Sequence, residues 1–433
     1  MKIKQWTAGL AVAGLVSFPT FGSDQEPPSA MLTLLDSTSI SGYVNTSAHW
    51  NPGTRNVLVP AYSYNRINKQ DGFNLNVIKL SIEKPLGHAE SAAGYKVDLL
   101  FGPDANSLGT GGLDPGAVAG GGPGGPGPLG GQEGVSDFNI KQAYVALRAP
   151  LGNGLDFKVG VFDSVIGFEG FDATSNPNYT RSYGYSIEPT THTGVLATYQ
   201  FSEIVAVSAG VANTFGPLIN EKAWNQTERN KAESYKTYMG SIELIAPGDF
   251  GFLKGSSLYL GVVNGWNVNS PTPSRSAATP PTYPAVQTSW YAGMMLNTPI
   301  DALRVGAAFD YAGVSKQSLP GAPTISSGYR NASSAYVSYQ ATEKLSFHGR
   351  GEYFTQTSAR ARLALPSKVI ATTVTLQYDL WKNVLSRLEV RWDHQADGFG
   401  KAYGAINPAP PISGLGGTRR NAWLLAGNVI YKF

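Results

Sequence analysis

The residues of this chain that could do chemistry stand two apart rather than in helical clusters. Ser346, His348, Arg350 and Glu352 recur at every second position, the spacing at which strand side chains share one face. A Ser beside a His is the minimum for a nucleophile with its base. The supporting inventory for catalysis is nevertheless thin. There is no Gly-x-Ser-x-Gly elbow, no Cys, and no His pair at metal-binding helical spacing, and the five His are scattered singly. His192, inside Thr191-His192-Thr193-Gly194, reads as the start of a strand rather than a metal ligand. Gly125, Gly127 and Gly130 have the spacing of a dinucleotide-binding loop, but Pro126 and Pro128 interrupt it and no amphipathic helix follows. The sequence therefore predicts no catalytic residue, no cofactor and no metal.

What remains is charge at alternate positions, and alternation needs strands to present it. Ile40, Gly42, Val44, Ala48 and Trp50 share one parity, with Ser41, Asn45 and His49 on the other. Tyr95, Val97, Leu99 and Phe101 alternate with Lys96 and Asp98; Leu155, Phe157, Val159 and Val161 alternate with Asp156 and Lys158. The same pattern sets Leu303, Val305, Ala307 and Phe309 against Arg304 and Asp310, and Leu388, Val390 and Trp392 against Arg387, Glu389, Arg391 and Asp393. Leu345, Phe347 and Tyr353 oppose the Ser346 to Glu352 face, and Ile370, Val374, Leu376 and Tyr378 oppose Thr373, Thr375 and Gln377. The second face is too charged for the core of a soluble sandwich, so the two faces read as hydrocarbon outside and water inside. A lipase-like site would have to face the lipid, whereas Ser346 and His348 lie on the wet side. Val205, Val207, Ala209 and Val211 share one parity as well, and weaker segments near 73–84, 138–149, 192–201, 235–246, 257–265, 289–298 and 334–340 bring the total to about sixteen strands. That count is even, as single-chain bacterial barrels require.

The two ends of the chain agree with this. Trp423, Leu425, Val429, Tyr431 and Phe433 fall on one parity. An apolar alternating stretch that closes on an aromatic reads as a lipid-facing last strand, with Tyr431 and Phe433 as a membrane-assembly signal. Lys2 and Lys4 precede an apolar run from Ala8 to Val16, then Pro19, Thr20 and Gly22. This predicts a signal peptide over 1–22, since the run is too short to span a bilayer as a helix. Segment 23–38 is a short periplasmic lead, and 39–433 is one barrel domain.

Composition fits the same picture. A hydrophobic content of 42% and a mean hydropathy of -0.15 suit a water-soluble protein, yet only helices and closed barrels satisfy their backbone in lipid. A barrel with a wet lumen keeps average hydropathy low. The 51 Gly, 22 Tyr and 8 Trp suit turns and interfacial aromatic girdles. Without Lys2 and Lys4 the net charge falls to about +1, which offers no footprint for nucleic acid. Short links such as Ala149 to Gly154, Thr298 to Asp301 and Trp381 to Val384 alternate with long ones, roughly 51–72, 103–136, 163–191, 214–234, 266–288, 312–331, 355–367 and 395–420. Barrels of this kind turn tightly on the periplasmic side and loop out on the other. Both ends are then expected in the periplasm, and the Gly- and Pro-rich 103–136 stretch is expected to be a flexible external loop.

The chain after residue 38 resembles the OmpL-like group of bacterial outer-membrane porins. The resemblance is carried by Ser39 to Trp50, by Phe138 to Leu147 with the Gly152 to Gly160 turn and strand, and by Gly167 to Gly194. The last includes Phe168-Glu169-Gly170-Phe171-Asp172, Arg181-Ser182-Tyr183 and Thr191-His192-Thr193-Gly194. These motifs are short and structural, and the 103–136 loop looks like an insertion peculiar to this chain. The resemblance implies a porin-like channel without naming its solute.

General porins fold the connection after the fifth strand into the lumen, because sixteen strands enclose a space too wide for side chains to fill. By that analogy 163–191 is the pore-constricting loop, with Glu169 and Asp172 as its charges, Gly167 and Gly170 permitting tight turns, and Arg181 beside them. Lys79, Lys96 and Lys158, on polar parity of early strands, would form the opposing basic wall, and Arg304, Arg350 and Arg391 would be further lumen cations. The expected field between loop carboxylates and wall amines would orient water and dipolar solutes. The implied function is passive diffusion of small hydrophilic solutes across the outer membrane, with outer-membrane lipid as partner and a homotrimer as the assembly. A channel selective for sugars, peptides or anions, with Tyr179, Tyr183 and Tyr185 as an aromatic slide, is the alternative within this fold. A surface adhesin or receptor with a plugged lumen is the alternative outside it.

Overall fold

Alternating apolar and polar side chains cannot satisfy a helix in lipid, but they suit a sheet that closes on itself, where every backbone group is paired and no edge is left. The computed structural model, which describes residues 38–54, 71–87, 89–110, 138–223, 235–267, 285–316, 326–357, 366–398, 400–404 and 417–433, is such a sheet: a closed antiparallel barrel of sixteen strands. In chain order they are β1 (Ser39–Trp50), β2 (Gly72–Lys84), β3 (Ala92–Phe101), β4 (Phe138–Ala149), β5 (Leu155–Asp163), β6 (Thr191–Gln200), β7 (Val205–Ala212) and β8 (Thr237–Ile245). There follow β9 (Ser257–Asn267), β10 (Ala285–Asn297), β11 (Leu303–Val314), β12 (Gly328–Gln340), β13 (Leu345–Gln356), β14 (Lys368–Trp381), β15 (Val384–Gln395) and β16 (Asn421–Lys432). Each strand pairs with its sequence neighbours, and β1 closes on β16 with Val44 opposite Tyr431 and Trp50 opposite Leu425. Phe433 extends this seam, its N–H and carbonyl exchanging bonds with Gly42 at 3.0 and 2.9 Å.

Parity sorts the two faces as the sequence predicts. Trp50, Phe73, Trp290, Trp381, Trp423, Tyr431 and Phe433 are exposed on the outer wall, while Asn45, Thr373, Thr375, Glu389 and Arg391 are buried on the inner one. No helix among the described residues is long and apolar enough to cross a membrane, so the strands do the crossing. Two strands begin well before their alternation does, β12 at Gly328 rather than near 334 and β10 at Ala285 rather than near 289. Both extensions lie at ends that follow long loops. Beyond the hydrocarbon a strand keeps its hydrogen bonds but no longer needs an apolar outer face, so the pattern fades before the strand does.

Three β-bulges break parity. One sets Asn45 and Thr46 against Val77 and Leu75, leaving Asn76 as the extra residue; another sets Asp98 and Leu99 against Gln142 and Ile140, leaving Lys141; the third lies between Asp379 and Trp381. A bulge turns two successive side chains to one face, and Lys141 and Gln142 are both buried inside the wall.

Helix is confined to connections: α1 (Ala105–Leu108) and α2 (Tyr183–Ile187). The described start of the 103–136 stretch differs from the expectation of a flexible external loop. Ala105 and Leu108 are fully buried against Leu100 and Ala173, and Leu108 accepts a bond from Thr190 at 2.9 Å. An apolar pair among the glycines finds a dry surface inside the barrel mouth. The remainder of that stretch, with Gly125, Gly127 and Gly130, lies outside the described residues, as does the segment 1–37 containing the expected signal peptide.

Candidate functional site

Between β5 and β6 the chain leaves the wall at Ser164 and returns at Thr190, where the Ser164 N–H donates to the Thr190 carbonyl at 3.0 Å and closes the neck. The intervening residues cross the lumen. Their first members, Val165, Ile166 and Phe168, are apolar and almost fully buried among Tyr259, Val263, Tyr291, Ala308 and Tyr336 on β9 to β12. Two inner-wall glycines provide the seats. A Cβ on Gly261 would lie 2.6 Å from Ile166 Cγ2, and one on Gly306 2.9 Å from Phe168 Cζ. Phe168 stacks on Tyr336 with centroids 4.0 Å apart.

The loop is braced internally before it meets the far wall. Asn176 donates to the carbonyls of Gly170 and Asp172, each at 2.8 Å, and accepts from the Gly170 N–H at 2.9 Å. Arg181 donates to the carbonyls of Gly170, Tyr179 and Phe171 at 2.7 to 3.0 Å. Its guanidinium is thus spent on the loop itself, with Tyr185 5.8 Å from it, and it does not project into open lumen.

Beyond that brace, β13 to β15 receive the loop backbone through charges of both signs. Glu389 accepts from the N–H groups of Tyr179 and Thr180 at 2.5 and 2.9 Å, and Glu352 from that of Tyr183 at 2.6 Å. Arg387 donates to the carbonyls of Ala173 and Asn176, Arg391 to that of Arg181, and Arg350 to that of Thr180, at 2.6 to 2.8 Å. Arg350 also reaches Glu169 at 2.7 Å and Glu352 at 2.8 Å, with the side chains of all three at most 1% exposed. Glu169 takes two further bonds, from Tyr336 and from the Ser182 N–H. A buried charge without such partners would cost several kcal/mol. Here each ion has at least two, which makes the docked loop self-consistent.

On the opposite side the loop touches β1 and β2 more lightly. Asp172 accepts from Lys79 at 2.8 Å and Tyr43 at 3.3 Å, and Tyr179 meets His49 at 2.6 Å. Burial disfavours the Asp172 charge, but Lys79 and Lys141 outweigh it and hold this carboxyl well below the usual carboxylate range. Between the loop and β3 to β5 an open gap of about 230 Å³ remains, lined by Lys96, Asp98, Lys141, Asp163, Asp172 and Glu188 among others.

The expected geometry therefore changes in a specific way. Glu169 does not face the early-strand lysines; it is bound to Arg350 on the far wall. Lys79 is separated from Asp172 by a hydrogen bond rather than by a solute-wide gap, and it also reaches Asp98 at 3.2 Å. Lys96 pairs with Glu83 at 2.9 Å, and Lys158 lies 4.9 Å from the centre of the Tyr144 ring. Tyr179 and Tyr183 are 1% exposed, with the Tyr183 hydroxyl donating to Asp393 at 2.7 Å. They are structural rather than a slide, and of the three tyrosines only Tyr185 lines the gap. Arg304 is half-buried near the start of β11, away from the loop. Ser346 donates to Gln340, while His348 meets Ser338 instead.

Sequence reasoning missed Lys141, which binds Asp163, because the bulge hid its face. It also missed the loop-binding roles of Glu352, Glu389 and Asp393 and the place of Glu188. Parity had already put the three strand carboxylates on the wet side; their being spent on a loop backbone was not readable from it.

The family described as "Putative beta-barrel porin-2, OmpL-like" matches residues 37–433. Among solved structures the chain is similar to the outer membrane channel DcaP of Acinetobacter baumannii at 11% identity and a TM-score of 0.56, covering 92% of this chain and 97% of that one. It is similar to an anion-selective porin from Comamonas acidovorans at 11% identity and a TM-score of 0.53, with 92% and 99% covered. A trimer form of OmpT, an outer membrane protein of Vibrio cholerae, gives 12% identity and a TM-score of 0.50, again over 92% and 99%. No curated protein matches the chain. At these identities the solved structures attest the barrel fold.

Proposed function

The chain belongs to the beta-barrel porin-2, OmpL-like family of the outer membrane, and from that premise we propose that it passes small hydrophilic solutes by passive diffusion through the gap beside the Ser164 to Thr190 loop. One observation carries the reading: the loop is locked to β13–β15 by buried charges, yet on the β3–β5 side a gap of about 230 Å³ lined by charges of both signs stays beside it. The gap carries both charge signs in close pairs: Lys141 and Asp163 both line it, and Asp172, which also lines it, is held by Lys79. Paired charges at a constriction hydrate the wall and set a size limit with little long-range field. No reaction is catalysed and no cofactor is needed. In this reading the residues 1–22 direct export and are removed, and the barrel assembles as a homotrimer, as the trimer form of the Vibrio cholerae neighbour supports.

Planar-bilayer recording tests the proposal directly, with discrete conductance steps as the expected result. Liposome swelling with sugars of graded size separates two kinds of channel: a smooth size cutoff is expected here, whereas saturation would favour a substrate-selective one. The extent to which the loop fills the β9–β15 side of the lumen favours a second reading, a plugged surface receptor. Absence of both conductance and swelling would select it.

A further inference from the structure

The charges of the loop and its walls meet partners of opposite sign, backbone dipoles or an aromatic ring, whereas Glu188 and Asp310 meet each other as like charges. Glu188, at the end of α2, lines the gap, and its carboxyl is the neighbour of the Asp310 carboxyl on β11. Ionised carboxylates only accept, so two neighbouring carboxyls can bond to each other only when one of them carries a proton. Glycine makes the approach possible: a Cβ on Gly184 would collide with Asp310 Oδ2, and one on Gly167 with Glu188 Oε2. Asp310 is 3% exposed, and its Oδ1 has no partner among the described residues.

No ion pair to Glu188 or Asp310 occurs among the described residues. Facing the pair are Glu169 of the loop, Tyr291 of β10 and Glu352 of β13. Arg350 is committed to Glu169 and Glu352. Tyr336 of β12 gives its hydroxyl to Glu169. By contrast the lysines of the gap already have carboxylates, Lys141 with Asp163 and Lys96 with Glu83.

We propose that Glu188, backed by Asp310, is the titratable residue that sets the ion preference of the channel: ionising it adds to the gap a negative charge that no lysine neutralises. This rests on the channel reading above. Burial and the adjacent Asp310 push the Glu188 carboxyl well above the usual carboxylate range. It is therefore protonated in acid and charges as pH rises. At low pH the gap is close to neutral and discriminates weakly; at high pH it favours cations, because a carboxylate in a confined, partly dry passage attracts counter-ions more strongly than one in bulk water.

The test is the reversal potential of the full-length protein in planar bilayers under a potassium chloride gradient, read once in acid and once at alkaline pH. The wild type should become severalfold more cation-preferring at the higher pH. Glu188→Gln keeps a donor toward Asp310 and should stay at the weak, pH-independent value. Asp310→Asn removes the neighbouring charge, lets Glu188 ionise at lower pH, and should show cation preference already in acid. Conductance steps whose reversal potential responds to pH equally in Glu188→Gln and wild type would overturn the assignment while leaving the channel intact. Absence of steps in every variant would overturn the channel reading and the assignment together.

Discussion

Glu169 and Arg350 are 181 residues apart in the chain, yet Arg350 Nη1 donates to Glu169 Oε1 at 2.7 Å across the lumen, with both side chains withdrawn from water. This pair joins the loop after β5 to the wall at β13. It turns a flexible connection into a fixed partition with one open side.

Removing one member of that pair should free the partition. In Arg350→Met the Glu169 carboxylate stays buried without its cation and Glu352 keeps only Arg391, at 3.9 Å, a change that costs about 3–5 kcal/mol. The barrel ladder is untouched, so the folded barrel should persist in detergent. The loop should become cleavable by protease between 164 and 190, and single-channel conductance should rise. A protease-resistant loop with unchanged conductance would count against the anchoring role.

The seats on β9 and β11 lend themselves to an overpacking test. A branched side chain in Gly261→Val would occupy the space of Ile166, whose Cγ2 lies 2.6 Å from where even a Cβ would sit. Overpacking typically costs about 1–3 kcal/mol. The loop, held less firmly than the sheet, should yield. Larger sugars should then enter liposomes carrying Gly261→Val than those carrying the wild type.

Asp172 predicts insensitivity to mild acid. Its carboxyl is held below the usual range by Lys79 and Lys141 despite burial. A depressed native value means that its contribution is present above the unfolded value and lost only as pH falls through the native one. The Lys79 tether should therefore persist down to about pH 4, the ordinary aspartate value, and fail only in stronger acid. Asp172→Asn should show the freed state at every pH, measured as wider or noisier conductance. A wild-type transition near neutrality that disappears in Asp172→Asn would refute this assignment.

The seam gives a prediction about assembly. Phe433 and Gly42 exchange two backbone bonds where β1 closes on β16. Each such bond is worth about 0.5–1.5 kcal/mol net. Deleting Phe433 should slow insertion into liposomes, followed by the gel-mobility shift of folded barrels on heating, while the final barrel still forms.

Much of the architecture was legible in the residues themselves. Period-two alternation located all sixteen strands and put Lys79, Arg350, Glu389 and Arg391 on the wet face, because a strand in a bilayer wall has only two solvents to choose between. Legibility failed where backbone geometry departs from period two, as at Lys141, whose bulge turns it inward beside Gln142. It failed too where strands outrun the membrane, as at Gly328. It failed most for the site. Glu169 and Asp172, three residues apart, go to opposite walls, and the tyrosines expected as a slide serve as fasteners. Local sequence carries no information about which inner face a loop will meet.

Sequence alone determined which side of each strand meets lipid and which meets water, since hydrocarbon tolerates no unpaired charge and the alternation records that rule residue by residue. Only the tertiary structure decided which charges touch, because closing the sheet brings β2, β11 and β13 around a single loop and so selects partners from residues remote in sequence. That selection left Glu188 facing Asp310 rather than a lysine, an outcome set by the circumference of the barrel and the path of the loop rather than by any motif.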